Sequence, residues 1–157
     1  MNKITYHKAA IEDVPVLAEY RTRFAIELKG ERSSEVVNDL KKQLTDYFSK
    51  AVVDGTCISF IAKSGNEIAG IGSVHIREMP GNFKNPSGKW GYIMNMYTVP
   101  EFRRCGICTA ILKKLIDVGT KAGVTAFELH ATESGQAVYL RNGFELHKEP
   151  TLRKYLG

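Results

Sequence analysis

The sequence predicts a single mixed α/β domain, and three observations carry that prediction. Hydrophobic periodicity switches repeatedly between the two-residue alternation of strands and the three-to-four-residue spacing of helices, in the order β-α-α-β-β-β-α-β-α-β-β. The chain has 157 residues, 43% hydrophobic and 25% charged, a balance that supports a globular core without disulfides or metals. Between Gly91 and Leu112 a strand pattern, a tight basic turn and a helix pattern follow one another directly.

Taken in order, Ile4 and Tyr6 alternate with Lys3, Thr5 and His7, which predicts a first strand over residues 2–8. Asp13 is placed to cap a helix, with Pro15 in its first turn, and Leu17, Tyr20, Phe24 and Leu28 form one apolar stripe up to Gly30. Ser33 or Ser34 starts a second helix in which Val36, Leu40, Leu44 and Phe48 recur every four residues as far as Asp54 and Gly55. Residues 57–63 and 68–77 read as two strands of a hairpin whose turn is Ser64-Gly65-Asn66-Glu67. Residues 79–89, rich in Gly, Pro and Asn, form a long connection and a candidate functional rim.

The next strand covers residues 90–99 and is stopped by Pro100. Ile107, Ile111, Leu115 and Val118 then mark a helix closed by Gly123. Residues 124–130 read as a strand, and Thr132 or Ser134 caps a short helix through Tyr139 and Leu140 that ends at Asn142-Gly143. Residues 144–147 and 152–156 supply two final strands. No internal repeat, low-complexity tract or linker interrupts this order, so residues 1–157 are read as one domain.

Composition narrows the function classes. The net charge is +5 and the pI near 9.1, which fits a ligand carrying several phosphates as well as it fits a nucleic acid. The first residues lack the apolar core of a signal peptide, and no run approaches the ~18 apolar residues of a membrane span. The cytoplasm is therefore the expected compartment, with no membrane partner. Three cysteines (Cys57, Cys105, Cys108) are too few and too odd for a disulfide framework, in keeping with a reducing environment.

The turn at Arg103-Arg104-Cys105-Gly106 concentrates the chemistry. It combines two arginines, a glycine and the N-terminus of the following helix, whose first N–H groups lack intrahelical partners and carry the positive end of the helix dipole. Such a turn holds anions, phosphate above all. Residues 101–123 carry five basic against two acidic side chains, a net +3, read either as a landing area for phosphates or as a solvated helix face.

Met96-Tyr-Thr-Val-Pro-Glu-Phe-Arg-Arg-Cys-Gly-Ile-Cys108 resembles the acetyl-CoA-binding motif of the GNAT superfamily of N-acetyltransferases, Arg/Gln-x-x-Gly-x-Gly/Ala, matching it at Arg103 and Gly106. Ala137-Val-Tyr-Leu-Arg-Asn-Gly-Phe144 resembles the tyrosine helix of the same superfamily. In residue identity the resemblance is confined to about residues 91–145; in element order it spans nearly the whole chain. It implies a GNAT-like fold: a central, mostly antiparallel twisted sheet with helices on both faces, splayed at the acetyl-CoA site. It further implies that the amides of Arg104, Cys105, Gly106, Ile107, Cys108 and Thr109, together with Arg103, hold the CoA pyrophosphate. A bulge in the preceding strand would leave backbone groups around Tyr97, Thr98 and Val99 free for the pantetheine arm and the oxyanion.

The same resemblance implies that Tyr139 is the general acid for the departing thiolate, a job suited to a phenol protonated at neutral pH; the plain alternative is an apolar anchor. The general base is less legible. The strand before the turn offers Asn95 and no carboxylate, which leaves His130 first, with Glu128, Glu133 and His75 behind it. No metal is implied. Cys108 departs from the motif, standing where Gly or Ala is usual, and makes a Cys105-Gly-Ile-Cys108 pattern at a helix N-terminus, so a thiol-redox module remains a rival reading. A basic nucleic-acid-binding module is the other rival. The expected activity is transfer of an acetyl group from acetyl-CoA to a primary amine, on a small molecule first and on a protein or peptide second. Arg21, Arg23, Glu27 and residues 83–90 are expected at the acceptor mouth; oligomeric state is left open, a homodimer being the one assembly considered, and no nucleic acid is expected as a partner.

Overall fold

The computed structural model describes residues 2–157. Strand β1 (Ile4–Lys8) leads through a 3-10 turn at Ile11–Asp13 into helix α1 (Val14–Lys29), and helix α2 (Ser34–Asp54) follows. Asp13 caps backward rather than forward: its carboxylate accepts the Ala10 N–H at 2.8 Å and closes the 3-10 turn. Ser33 caps α2 as expected, its hydroxyl accepting the Val36 N–H.

Strands β2 (Cys57–Ser64), β3 (Glu67–Glu78) and β4 (Lys89–Thr98) build the antiparallel centre of the sheet. Helix α3 (Ile107–Lys121), strand β5 (Ala126–Glu128) and helix α4 (Gln136–Arg141) complete the elements. Strand order is β1-β2-β3-β4-β5, antiparallel up to β4 and parallel between β4 and β5.

Helices cover both faces of the sheet. Leu17 and Ala18 of α1 and Leu44 and Phe48 of α2 pack with Ile61 and Ile71 on one face. Ile107, Ile111, Leu112 and Leu115 of α3 pack with Val74 and Ile93 on the other. Side chains of this size contribute about 1.5–3 kcal/mol each when fully buried. Gly72 in β3 is what lets α3 approach: a Cβ there would come within 2.5 Å of both Ile111 Cγ2 and Met96 Sδ.

The C-terminal segment corrects the expected order. Residues 144–147 and 152–156 form no strands, and β5 is three residues long instead of seven. Alternation alone does not make a strand without a ladder to join, and the apolar side chains of this tail face outward: Leu146, Leu152, Tyr155 and Leu156 are 71–88% exposed. The connection at 79–88 is ordered by its own side chains, Asn82 accepting the Lys84 and Asn85 N–H groups while Asn85 is buried.

Candidate active site

The parallel pairing of β4 with β5 lasts for three residues, Trp90 to Tyr92 against Ala126 to Glu128. Beyond that point the strands diverge, and β4 runs on to Thr98 with its outer edge unpaired. The sheet is splayed at this end. A bulge deforms β4 inside the wedge: between Tyr97, opposite Ile71, and Met94, opposite Ser73, the two residues Asn95 and Met96 face the single Gly72. Asn95 takes φ +63°, is 3% exposed, and its Oδ1 has no hydrogen-bond partner.

A cavity of about 780 Å³ fills the wedge. Met96, Tyr97 and Thr98 of β4 form one wall, and Thr132, Gly135, Val138 and Tyr139, around and within α4, form the other. The floor is the start of α3, with Gly106, Ile107, Cys108 and Thr109, and Phe24 and Glu27 of α1 close one rim.

The floor is built for an anion. Helix α3 has no side-chain cap, and its first intrahelical bond is that of the Ala110 N–H to the Gly106 carbonyl, so the Ile107, Cys108 and Thr109 N–H groups are left to a ligand. Arg104 at φ +64° and Gly106 at φ +77° give the turn its left-handed curl, and both residues line the cavity. Apart from its chain neighbours, no residue comes within 4 Å of where a Gly106 Cβ would be, so this glycine serves the backbone angle and leaves the space above the turn open.

Other expected residues are placed differently. Arg103 lines the cavity but its guanidinium is engaged: Nη2 donates to both Glu27 carboxylate oxygens at 2.8 Å, Nε donates to the Thr98 carbonyl at 3.0 Å, and the group lies over the Tyr97 ring. It braces α1 against the end of β4. The Val99 N–H donates to the Ala69 carbonyl, so Val99 is not free as expected, and neither Val99 nor Cys105 borders the cavity. Cys105 is exposed beside Tyr6.

Tyr139 is the pivot of the opposite wall. It is 9% exposed, packs edge-on against Phe144 with ring centroids 6.0 Å apart, and separates the main cavity from a second hollow of about 350 Å³. Burial, and then the neighbouring Cys108, push its phenol pKa well above the ordinary value, so it holds its proton. Cys108, from the first turn of α3, borders the same cavity.

His130 lies in the second hollow, with Nδ1 bonded to the Tyr92 hydroxyl at 2.9 Å and Nε2 to the Thr151 hydroxyl at 3.2 Å. Both ring nitrogens are thereby occupied, on the far side of Tyr139 from the wedge. Glu128 is paired with Arg77 at 2.9 Å, and His75 bonds Tyr47. The expected acceptor mouth is divided: Glu27 borders the wedge, whereas residues 83–90 lie at the other end of β4, roughly 30 Å away along the strand. Sequence reasoning missed the Glu27–Arg103 brace, since it joins residues far apart in the chain. Among the described residues no helix is long and apolar enough to cross a membrane, and no group of three His, Cys, Asp or Glu side chains is arranged to hold a metal ion.

The comparisons with known proteins agree with this geometry. The family model described as acetyltransferase (GNAT) family matches residues 23–144, from the middle of α1 to three residues past α4. The chain belongs to the GNAT acetyltransferase family. Its fold matches that of a predicted acetyltransferase from Clostridium acetobutylicum solved with acetyl-CoA, at TM-score 0.87 and 29% identity over 97% of this chain and 96% of that one. A GCN5-related N-acetyltransferase from Ralstonia eutropha matches at TM-score 0.85 and 23% identity, over 97% and 99% of the two chains. Glucosamine-6-phosphate N-acetyltransferase from Arabidopsis thaliana matches at 0.73 and 18%, over 99% and 100%. No curated protein matches the sequence. As a GNAT acetyltransferase the chain is a transferase acting on acyl groups, and its five-stranded, mostly antiparallel sheet is the fold of that family.

Proposed function

We propose that the protein is an N-acetyltransferase that uses acetyl-CoA to acetylate a primary amine, first of all on a small molecule. One observation carries this reading: the uncapped start of α3 and the protonated Tyr139 face each other across one cavity beside the open edge of β4. The residues present fit the cosubstrate, because three unpaired amides and the arginines at 104 and 141 form a cationic end and an unpaired strand edge offers backbone groups along the wall.

Bound acetyl-CoA would supply an acetyl group activated as a thioester. The Ile107, Cys108 and Thr109 amides bind phosphate oxygens, with Arg104 and Arg141 balancing their charge. The β4 edge at Met96 to Thr98 orients an extended amide-bearing arm, and a backbone N–H near Tyr97 stabilises negative charge on the acyl oxygen. Tyr139 holds at its Oη the proton that a departing thiolate needs. Arg103 contributes by fixing the Thr98 carbonyl and the α1 rim. The three free cysteines fit a reducing compartment, and we place the protein in the cytoplasm.

The test is CoA release from acetyl-CoA across a panel of small amines and of peptides with free N-termini or lysines. Turnover with small amines is expected; turnover confined to peptides would move the acceptor to that class, and none with any amine would refute the reading. Tyr139→Phe is expected to lower kcat about 100-fold with acetyl-CoA affinity nearly unchanged; an unaltered kcat removes Tyr139 from the chemistry.

A further inference from the structure

Helix α1 carries one cation that no carboxylate answers. Its inward stripe runs through the buried Val14, Leu17 and Ala18 and continues through Arg21 to Phe24 and Leu28, which border the main cavity. Arg21 is half-buried on that stripe. The arginines around it are matched, Arg23 to Glu19 at 3.1 Å and Arg103 to Glu27 at 2.8 Å, and Lys41 of α2 also goes to Glu19. Among the described residues no acidic side chain lies within 4 Å of the Arg21 guanidinium, which stands instead over the Phe24 ring, 5.8 Å from its centroid. Holding a guanidinium partly out of water without a counter-charge is unfavourable, and a bound anion relieves that.

The strand beneath has an unmet group at the same level. Phe24 rests on Tyr97, ring centroids 5.6 Å apart, and Glu27, nearly one turn on, meets Arg103 where Arg103 holds the Thr98 carbonyl. Helix and strand therefore run the same way, and Arg21, nearly one turn before Phe24, stands level with the β4 bulge. The bulge residue Asn95 is turned to this face. Its Nδ2 donates to Ser73 Oγ at 3.5 Å, and Ser73 bonds Ser59, whose same-face neighbours Cys57 and Ile61 pack toward α1 and α2. Its Oδ1 is buried and accepts nothing. A cation without an anion and an oxygen without a donor thus share the α1 side of the strand that walls the cavity.

We propose that the acceptor amine carries an anionic group, a carboxylate or a phosphate, and that Arg21 selects it. This rests on the reading of the chain as an acetyltransferase of small amines. The anion pairs with Arg21 beside Phe24, and the amine end lies toward Asn95 and the cavity. The guanidinium carbon and the Tyr97 ring, each measured from the Phe24 centroid, are at most 11.4 Å apart, a span that one small molecule covers. A guanidinium is planar and always charged, and it holds either anion through two parallel hydrogen bonds. The phosphates of the cosubstrate have their own place at the start of α3, with Arg104 and Arg141.

The test compares, by CoA release, acceptors that differ chiefly in charge: ω-amino acids against their amides, and aminoalkyl phosphates against the matching amino alcohols. Wild-type kcat/KM is expected to favour the charged member of a pair by about 10- to 100-fold, expressed in KM, and the pair with the larger ratio tells carboxylate from phosphate. Arg21→Gln should bring that ratio to about one, Arg21→Lys should keep part of it, and Arg21→Glu should invert it in favour of diamines. The ratio does not depend on how much of a variant is folded. Calorimetric titration of CoA should give the wild-type affinity in all three variants. Equal wild-type turnover of charged and neutral members overturns the proposal and leaves the acetyltransferase reading standing, whereas no turnover of any amine removes both. A ratio unchanged in Arg21→Gln, or a fall in CoA affinity, also overturns it, since Arg21 would then serve packing or the cosubstrate.

Discussion

Replacing Gly106 by alanine separates the two demands on the turn before α3, its backbone angle and its open space. Gly106 holds φ +77° and ψ +9°. An alanine there enters the left-handed region at a cost of about 1–2 kcal/mol. No steric cost is added, because no residue apart from the chain neighbours comes within 4 Å of the new Cβ, and Arg104 already holds φ +64° in the same turn. For a chain of this length that loss corresponds to a fall in Tm of about 2–4 °C per kcal/mol. The methyl group nevertheless occupies the space over the α3 amides, so CoA affinity should fall by more than stability does, about tenfold or about 1.4 kcal/mol. The assay pairs chemical denaturation of the free protein with calorimetric titration of CoA. A loss of stability far above about 2 kcal/mol would refute the open-space argument, and an unchanged CoA affinity would refute the phosphate floor.

Gly72→Ala tests the packing that sets α3 on the sheet. Its Cβ meets Ile111 and Met96 at 2.5 Å, which should destabilise by about 1–3 kcal/mol in urea denaturation, and an unchanged midpoint contradicts the close approach. The carboxylate of Glu19 receives hydrogen bonds from Lys41 at 2.8 Å and Arg23 at 3.1 Å, and the first of these contributes most to holding its pKa below the usual carboxylate range. Its stabilising effect is therefore full above the unfolded value of about 4.3 and is lost as pH falls through the lower folded value. Glu19→Gln should flatten that part of the stability profile; a profile identical to that of the wild type would count against the pair.

The parts of the fold that were legible are those fixed by local chemistry. The α3 stripe of Ile107, Ile111 and Leu115, the Ser33 cap and the Gly55 stop are written in consecutive residues, and so are the basic turn and the tyrosine helix. Tertiary context decided the rest. Residues 144–147 and 152–156 alternate as strands do, yet find no ladder, since β5 offers three paired residues and then diverges. Arg103 read as a phosphate ligand because it stands in the basic turn and matches the motif with Gly106; the partner that engages it, Glu27, is 76 residues away on α1. Cys108 read as a small residue filling a glycine position, and only the fold brings it to the same cavity as Tyr139, 31 residues further along the chain.

The central claim is that the start of α3 is the phosphate floor of an acetyl-CoA site. Titration of the isotope-labelled protein with CoA, following backbone amide resonances, tests it most directly. Saturable movement of the Ile107, Cys108 and Thr109 amides, largest of any in the chain, is the predicted result. Saturation with those three amides unmoved would contradict it.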